Sequence, residues 1–172
     1  WLFLSNFDTY GIMKPSKLHF QSYAFLGKSY GLLLKNENLY AYSSFMLGSS
    51  EFPRYLDEII ESGMLQRFGD LIVAEAPQPN QDMWEKFYQV LSDIKVKEWE
   101  KEYSDIGIID GGGWEFKIRF KDIHRTTGGM NAYPKKMMVN GKKIDPYEIL
   151  YDAIDDLTSG VFKETRDKSY GY

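Results

Sequence analysis

The clearest alternation of apolar and polar positions runs from Trp114 to Phe120, where Trp114, Phe116, Ile118 and Phe120 are separated by Glu115, Lys117 and Arg119. A period of two puts the four apolar side chains on one face of a strand and the charges on the other, which is the pattern of a half-buried antiparallel strand. Just upstream, Ile106-Gly107-Ile108-Ile109 predicts a short strand and Asp110-Gly111-Gly112-Gly113 a tight turn. Residues 1–7 are a β-rich run, residues 19–25 alternate loosely, and residues 30–35 and 39–42 are short apolar runs separated by Asn36-Glu37-Asn38. Turns this short join antiparallel neighbours, because a parallel crossover needs a dozen or more residues.

Helical spacing follows. Tyr55, Leu56, Ile59 and Ile60 recur between a start at Ser49-Ser50-Glu51 and a stop at Gly63. Leu71-Ile72-Val73-Ala74 fits strand or helix. The loop Ala76-Pro77-Gln78-Pro79-Asn80 divides a strand-rich half, residues 1–76, from residues 80–160. Asn80 is a good N-cap for a helix whose stripe is Trp84, Phe87, Tyr88, Leu91 and Ile94. That helix ends near Asp93 or runs on towards Trp99. In Asp145-Pro146-Tyr147-Glu148 the Asp sits at the N-cap, Pro at the first helical position and Glu two further on, resembling a capping box. Leu150, Ala153, Ile154 and Leu157 form the buried stripe, and Gly160 closes the helix. Residues 163–172 are polar and read as a frayed tail. These elements predict one α+β domain, a mainly antiparallel sheet with amphipathic helices packed on one face.

Composition narrows the chemistry. The 172 residues include no cysteine, which excludes disulfides, thiolate zinc sites, iron–sulfur clusters and a cysteine nucleophile, and points to a reducing cytoplasm. A net charge of −4 argues against a nucleic-acid partner, which asks for a basic face. No apolar run of about 18 residues is present, so no membrane span is expected. Trp1-Leu2-Phe3-Leu4 is apolar but follows no basic stretch and does not read as a signal peptide. The chain is rich in aromatics, with 13 Tyr, 11 Phe and 4 Trp, which serve a core and also anchor partner interfaces.

No catalytic residue, metal set or cofactor fingerprint emerges. A phosphate loop needs a helix N-terminus behind its glycines, and Gly111-Gly112-Gly113 is followed by a strand. His19 and His124 are the only histidines, and neither stands in a catalytic or zinc-binding spacing. Asp152, Asp155 and Asp156 share a helix face and read as its solvated side. Lys135-Lys136, with Lys142-Lys143 nearby, makes the one local basic patch. Asn131-Ala132-Tyr133-Pro134 combines turn-forming and aromatic residues. Asn tolerates left-handed geometry, and Pro134 holds Tyr133 extended, so a corner with Tyr133 buried is expected. As a recognition loop beside Trp114, it makes Trp114, Asn131, Tyr133, Lys135 and Lys136 the candidate binding residues.

Trp99 and Tyr103, then Asp110-Gly111, Trp114-x-Phe116-x-Ile118, and Gly128 with Asn131-Ala132-Tyr133-Pro134 before a helix, resemble a motif of uncharacterised bacterial proteins. There it reads W-x-x-x-Y, D-G-x-x-W-x-L-x-I and G-x-N-A-Y-P. The likeness spans about residues 84–157. It departs from the motif by an insertion between Pro134 and Asp145, where Asn140-Gly141 predicts an extra hairpin. It implies a fold and a bacterial or phage origin, and no activity. Leu4-Ser5-Asn6-Phe7 is similar to the opening of the NADAR family, which handles ADP-ribose-type ligands. The Ser-x-Glu-His stretch that follows there is replaced here by His19-Phe20-Gln21, so no ligand site carries over.

The reading that results is a non-enzymatic cytoplasmic binding or regulatory protein acting by protein–protein contact. The alternative is a small-ligand binder or an enzyme whose site no motif reveals. An exposed aromatic patch favours the first, and a pocket holding a histidine beside a carboxylate the second.

Overall fold

A computed structural model describes residues 13–24, 27–45, 56, 58–61, 71–105, 107–108, 111–139 and 141–168. The run 1–7, with its Leu4–Phe7 tetrapeptide, and the helix start at Ser49-Ser50-Glu51 lie outside them. Strands β1 (Lys17–Ala24), β2 (Ser29–Lys35), β3 (Asn38–Ser44), β4 (Ile72–Glu75), β5 (Glu102–Ser104), β6 (Gly112–Phe120) and β7 (Ile123–Met130) share one sheet. Their order is β4-β3-β2-β1-β6-β7-β5. All pairs are antiparallel except β5 with β7. Two-residue turns explain the neighbours. Asn36 and Glu37 both take positive φ, 49° and 72°, which is the left-handed turn whose twist matches a hairpin. The seam between the halves is β1 on β6, in register from Lys17↔Arg119 to Ala24↔Gly112.

Three helices follow their caps. In α1 (Gln81–Asp93) Asn80 Oδ1 accepts from the Met83 N–H at 2.9 Å. In α2 (Pro146–Leu157) Asp145 Oδ1 accepts from the Tyr147 N–H at 3.1 Å. After α1, Lys95 turns left-handed, and a short 3-10 turn, Val96–Glu98, buries Val96 and brings Trp99 back to the core. Trp84, Phe87 and Leu91 of α1, the α2 stripe and Phe162 of α3 (Val161–Lys168) pack with Leu18, Phe20, Phe116, Ile118 and Phe120 in one core. Across the sheet, Tyr40, Tyr42, Leu71 and Val73 form a smaller cluster with Leu56, Ile59 and Ile60, which are helical.

Three local expectations change. Gly107 and Ile108 are not in a strand, and the strand is β5, a few residues earlier. The Asp105 N–H donates to the Met130 carbonyl at 3.0 Å and Asp105 Oδ1 then accepts from the Gly107 N–H at 3.0 Å, which turns the chain out of the sheet. Gly112 and Gly113 belong to β6 rather than to a tight turn, because they complete the pairing with Tyr23 and Ala24. Residues 163–168 are helical, not frayed. Thr158 Oγ1 accepts from the Phe162 N–H at 3.2 Å and Asp155 Oδ1 from the Lys163 N–H at 2.9 Å. These bonds cap the first turn of α3, and Phe162 and Thr165 are buried beneath it.

Candidate functional site

The motif residues converge on one corner, at the start of β6 and the end of β7. Trp114 points from β6 into the helix-side core and is buried, with its indole N–H donating to the Ala132 carbonyl at 2.8 Å. Its ring meets Trp99 edge-on at 6.1 Å, Tyr103 at 5.9 Å and Tyr147 of α2 at 5.1 Å between centroids. Gly129 opposite makes room, since a Cβ there would lie 2.6 Å from the indole nitrogen and 2.2 Å from the Ala132 carbonyl oxygen. Asn131 has φ of +56°. Its Oδ1 accepts from the Gly112 N–H at 2.9 Å and its Nδ2 donates to the Ile108 carbonyl at 3.2 Å. Asn131 therefore holds loop ends and is not presented to a ligand.

Tyr133 departs from expectation. It is 49% exposed rather than buried. Its ring lies nearly parallel to Trp114, at 8° and 6.3 Å, and 4.7 Å from Tyr147. Pro134 is the buried member of the pair, so the chain pins Pro134 and turns the phenol outward over the Trp114–Tyr147 surface. Lys135 and Lys136 are exposed, and Lys136 Nζ lies 3.6 Å from Asp145 Oδ2. Beyond them the expected hairpin forms from β8 (Met137–Val139) and β9 (Lys142–Ile144), with Gly141 at φ +75°; Asn140 lies outside the described residues. It is a sheet of its own, apart from the seven strands. Met138 is 64% exposed, and Lys142 and Lys143 are exposed beside it.

The aromatic surface continues along α2. Tyr151, one turn on from Tyr147, meets Tyr30 and Phe162, and a cleft of about 360 Å³ is lined by Tyr30, Tyr147 and Tyr151 with Asp152, Asp155, Lys163 and Arg166. Burial pushes the Tyr147 and Tyr151 phenols well above the usual tyrosine range, so both remain hydrogen-bond donors. Arg166 donates to the Tyr151 hydroxyl. The spacing of Tyr147 and Tyr151 in a helix carried this signal in the sequence; Tyr30 and Arg166, which complete the cleft, carried none.

A second concavity lies on the opposite face of the sheet. The side chains that alternate with Leu18, Phe20, Phe116 and Ile118 are His19, Gln21, Glu115 and Lys117. Gln21 and Glu115 are register partners across β1 and β6. A pocket of about 310 Å³ is lined there by Gln21, Tyr23, Glu115, Gly128 and Met130, with Lys101 and Glu102 on its wall. Tyr23 packs over Gly113 and donates from its hydroxyl to Met130 Sδ at 3.3 Å. Gln21 is only 2% exposed, and its Nε2 has no hydrogen-bond partner among the described residues. An amide nitrogen buried unpaired costs about 1–3 kcal/mol.

His19 stands beside this pocket, 8% exposed, with Nε2 3.0 Å from the Tyr42 hydroxyl and Nδ1 3.6 Å from Glu115 Oε1. Burial lowers its pKa to about 4, against the pull of Glu115, so the ring is neutral at pH 7. The carboxylate favours the proton on Nδ1, leaving Nε2 to accept from Tyr42, whose phenol burial keeps protonated. Occupied by Tyr42, His19 offers no base to the pocket. His124 is exposed and lies 3.1 Å from the Lys121 carbonyl. Of the α2 aspartates, Asp155 caps α3 and Asp156 pairs with Lys86 at 2.7 Å. Among the described residues no group of three or more His, Asp or Glu side chains is placed to hold a metal, and no helix is long and apolar enough to cross a membrane.

No family model matches the chain, and no curated protein matches it. Of the five candidate residues, Trp114, Asn131 and Tyr133 build one corner, and Lys135 and Lys136 lead from it into the hairpin.

Proposed function

We propose that this chain is a binding protein that acts by contact with another protein, through Tyr133 and the β8–β9 hairpin. The observation that carries this reading is the hairpin itself. It pairs with no strand of the main sheet and exposes Met138 at the middle of β8. A two-stranded hairpin alone is marginally stable in water, so a partner surface is its natural complement. Tyr133 is a rigid aromatic anchor, because Trp114 and Tyr147 fix its ring before any partner arrives. Lys135 and Lys136 follow it in the chain and Lys142 and Lys143 are exposed on the hairpin, in a protein of net charge −4, which favours an acidic partner segment with an apolar residue for Tyr133 and Met138.

The test is affinity capture from a lysate of the source organism, with wild type beside a Tyr133→Ser/Met138→Ser variant and a Lys142→Glu/Lys143→Glu variant. An acidic protein held by wild type and lost by both variants, in a salt-sensitive manner, supports the reading. Capture of the same proteins by all three chains, or of nucleic acid that nuclease removes, overturns it.

A further inference from the structure

We propose that the cleft lined by α2, α3 and Tyr30 binds a free α-amino acid with an apolar side chain. The site uses neither Tyr133 nor the β8–β9 hairpin and stands whether or not the protein-contact reading holds.

Helix geometry sorts the charges of this cleft. Glu148, Asp152 and Asp155 recur at helical spacing along α2, and Lys163 and Arg166 do so along α3, so each helix carries its set on one face. All five residues line the cleft. Its α2 side is therefore acidic and its α3 side basic. The two sets do not cancel each other within the protein. Glu148, Asp152 and Lys163 are exposed, and among the described residues their carboxylates and ammonium have no ion-pair or hydrogen-bond partner. Asp155 commits Oδ1 to the Lys163 backbone N–H at 2.9 Å, which leaves its other oxygen as an acceptor.

The tyrosines add donors and an apolar lining. Arg166 donates to the Tyr151 oxygen, so the Tyr151 proton is left for another acceptor. The Tyr30 hydroxyl has no hydrogen-bond partner among the described residues and is not sealed from solvent. Tyr30 lies within electrostatic reach of Tyr147, Tyr151 and Arg166, which gathers these polar groups at one place. The rings are held in advance. Tyr30 and Tyr151 stand edge-on at 6.1 Å, and both pack on buried Phe162, at 5.9 and 5.0 Å. A preformed wall needs little ordering when a ligand enters.

The pairing of an acidic side with a basic one decides the ligand. A simple cation suits the α2 carboxylates and meets Lys163 and Arg166. A simple anion suits Lys163, Arg166 and the phenols and meets the carboxylates. A neutral polyol leaves both sets without a counter-charge. A small molecule that carries an ammonium and a carboxylate together satisfies both sides, and an α-amino acid holds the two on one carbon. Its side chain then lies against the tyrosine rings. A volume of about 360 Å³ is at the small end of ligand sites and suits one amino acid rather than a peptide.

The experiment is titration of the ¹⁵N-labelled chain with L-phenylalanine and L-leucine. Phenethylamine serves as the probe without a carboxylate, 3-phenylpropionate as the probe without an ammonium, and D-glucose as the neutral polyol. L-phenylalanine is expected to shift the backbone amides of Tyr30, Asp152, Lys163 and Arg166. It should bind about tenfold or more tightly than either singly charged probe, because each probe lacks one charge-assisted contact. Tyr30→Phe keeps the ring and the thermal midpoint and should weaken L-phenylalanine. Asp152→Asn should weaken L-phenylalanine and spare 3-phenylpropionate, whereas Lys163→Gln, which keeps the backbone N–H bonded to Asp155, should weaken L-phenylalanine and spare phenethylamine. Absence of shifts with both amino acids overturns the proposal. So does binding of phenethylamine, 3-phenylpropionate or D-glucose as tight as that of L-phenylalanine, or wild-type affinity in both folded charge variants.

Discussion

Asn131 and Gly112 are bonded twice. The Asn131 backbone N–H donates to the Gly112 carbonyl at 2.9 Å, and its Oδ1 accepts from the Gly112 N–H at 2.9 Å. The side chain thus continues the β6–β7 ladder past Met130, in a backbone geometry that few side chains tolerate. Asn131→Ala loses these side-chain bonds and strains φ, a cost of about 1–3 kcal/mol, or roughly 2–10 °C in thermal midpoint. Asn131→Gly relieves the strain but not the lost bonds and should fall between. Thermal unfolding of the three chains checks the order.

Trp114 and Tyr133 stack on each other but sit on opposite sides of the solvent boundary. Trp114→Ala should cost about 3–5 kcal/mol, because the indole fills the core beside Trp99 and Tyr147. Tyr133→Ala should cost about 1 kcal/mol, since half the ring is already in water. Partner capture should fall with Tyr133→Ala while folding survives. Chemical denaturation alongside the capture assay separates the two effects.

His19 sets a pH dependence. Its folded pKa of about 4 lies below the ordinary value of 6.5, so the unfolded chain takes up a proton the folded chain refuses. Stability is full above pH 6.5 and is lost as pH falls from 6.5 through 4, by on the order of 2–3 kcal/mol. His19→Gln should flatten this part of the profile. Urea unfolding of both chains between pH 4 and 7.5 gives the difference directly; parallel profiles would refute the assignment.

Phe162 tests the last helix. Its ring lies 5.8 Å from Phe20, 5.9 Å from Tyr30 and 5.0 Å from Tyr151. Phe162→Ala should cost about 3–5 kcal/mol, whereas a solvated tail would tolerate the change. The unfolding midpoint in urea decides.

What the sequence revealed followed from local rules. The period of two in Trp114–Phe120, the Asn80 and Asp145 caps and the Asn36-Glu37 turn are properties of neighbouring residues, and each reappears in the fold. Strand β5 escaped because Glu102, Tyr103 and Ser104 form no apolar run; its place comes from β7, a distant partner. Helix α3 escaped because only Phe162 and Thr165 are buried, too few to show a stripe among Lys163, Glu164, Arg166 and Asp167. The Trp114–Asn131–Tyr133 corner was legible as a motif. Tyr133's exposure was not, since it depends on Pro134 taking the buried place. The pairing of Gln21 with Glu115 depends on register between strands from opposite halves, which no local pattern encodes.

The β1–β6 seam also shapes how the chain comes into being. Between the end of β1 and the start of β6 the ribosome must add the residues from 25 to 111, which takes roughly 4–17 s. During that interval β1 can pair with β2 but leaves the N–H and C=O groups of its other edge open to any strand in reach. The nascent protein therefore passes through a stage in which its most vulnerable surface is the future centre of its sheet.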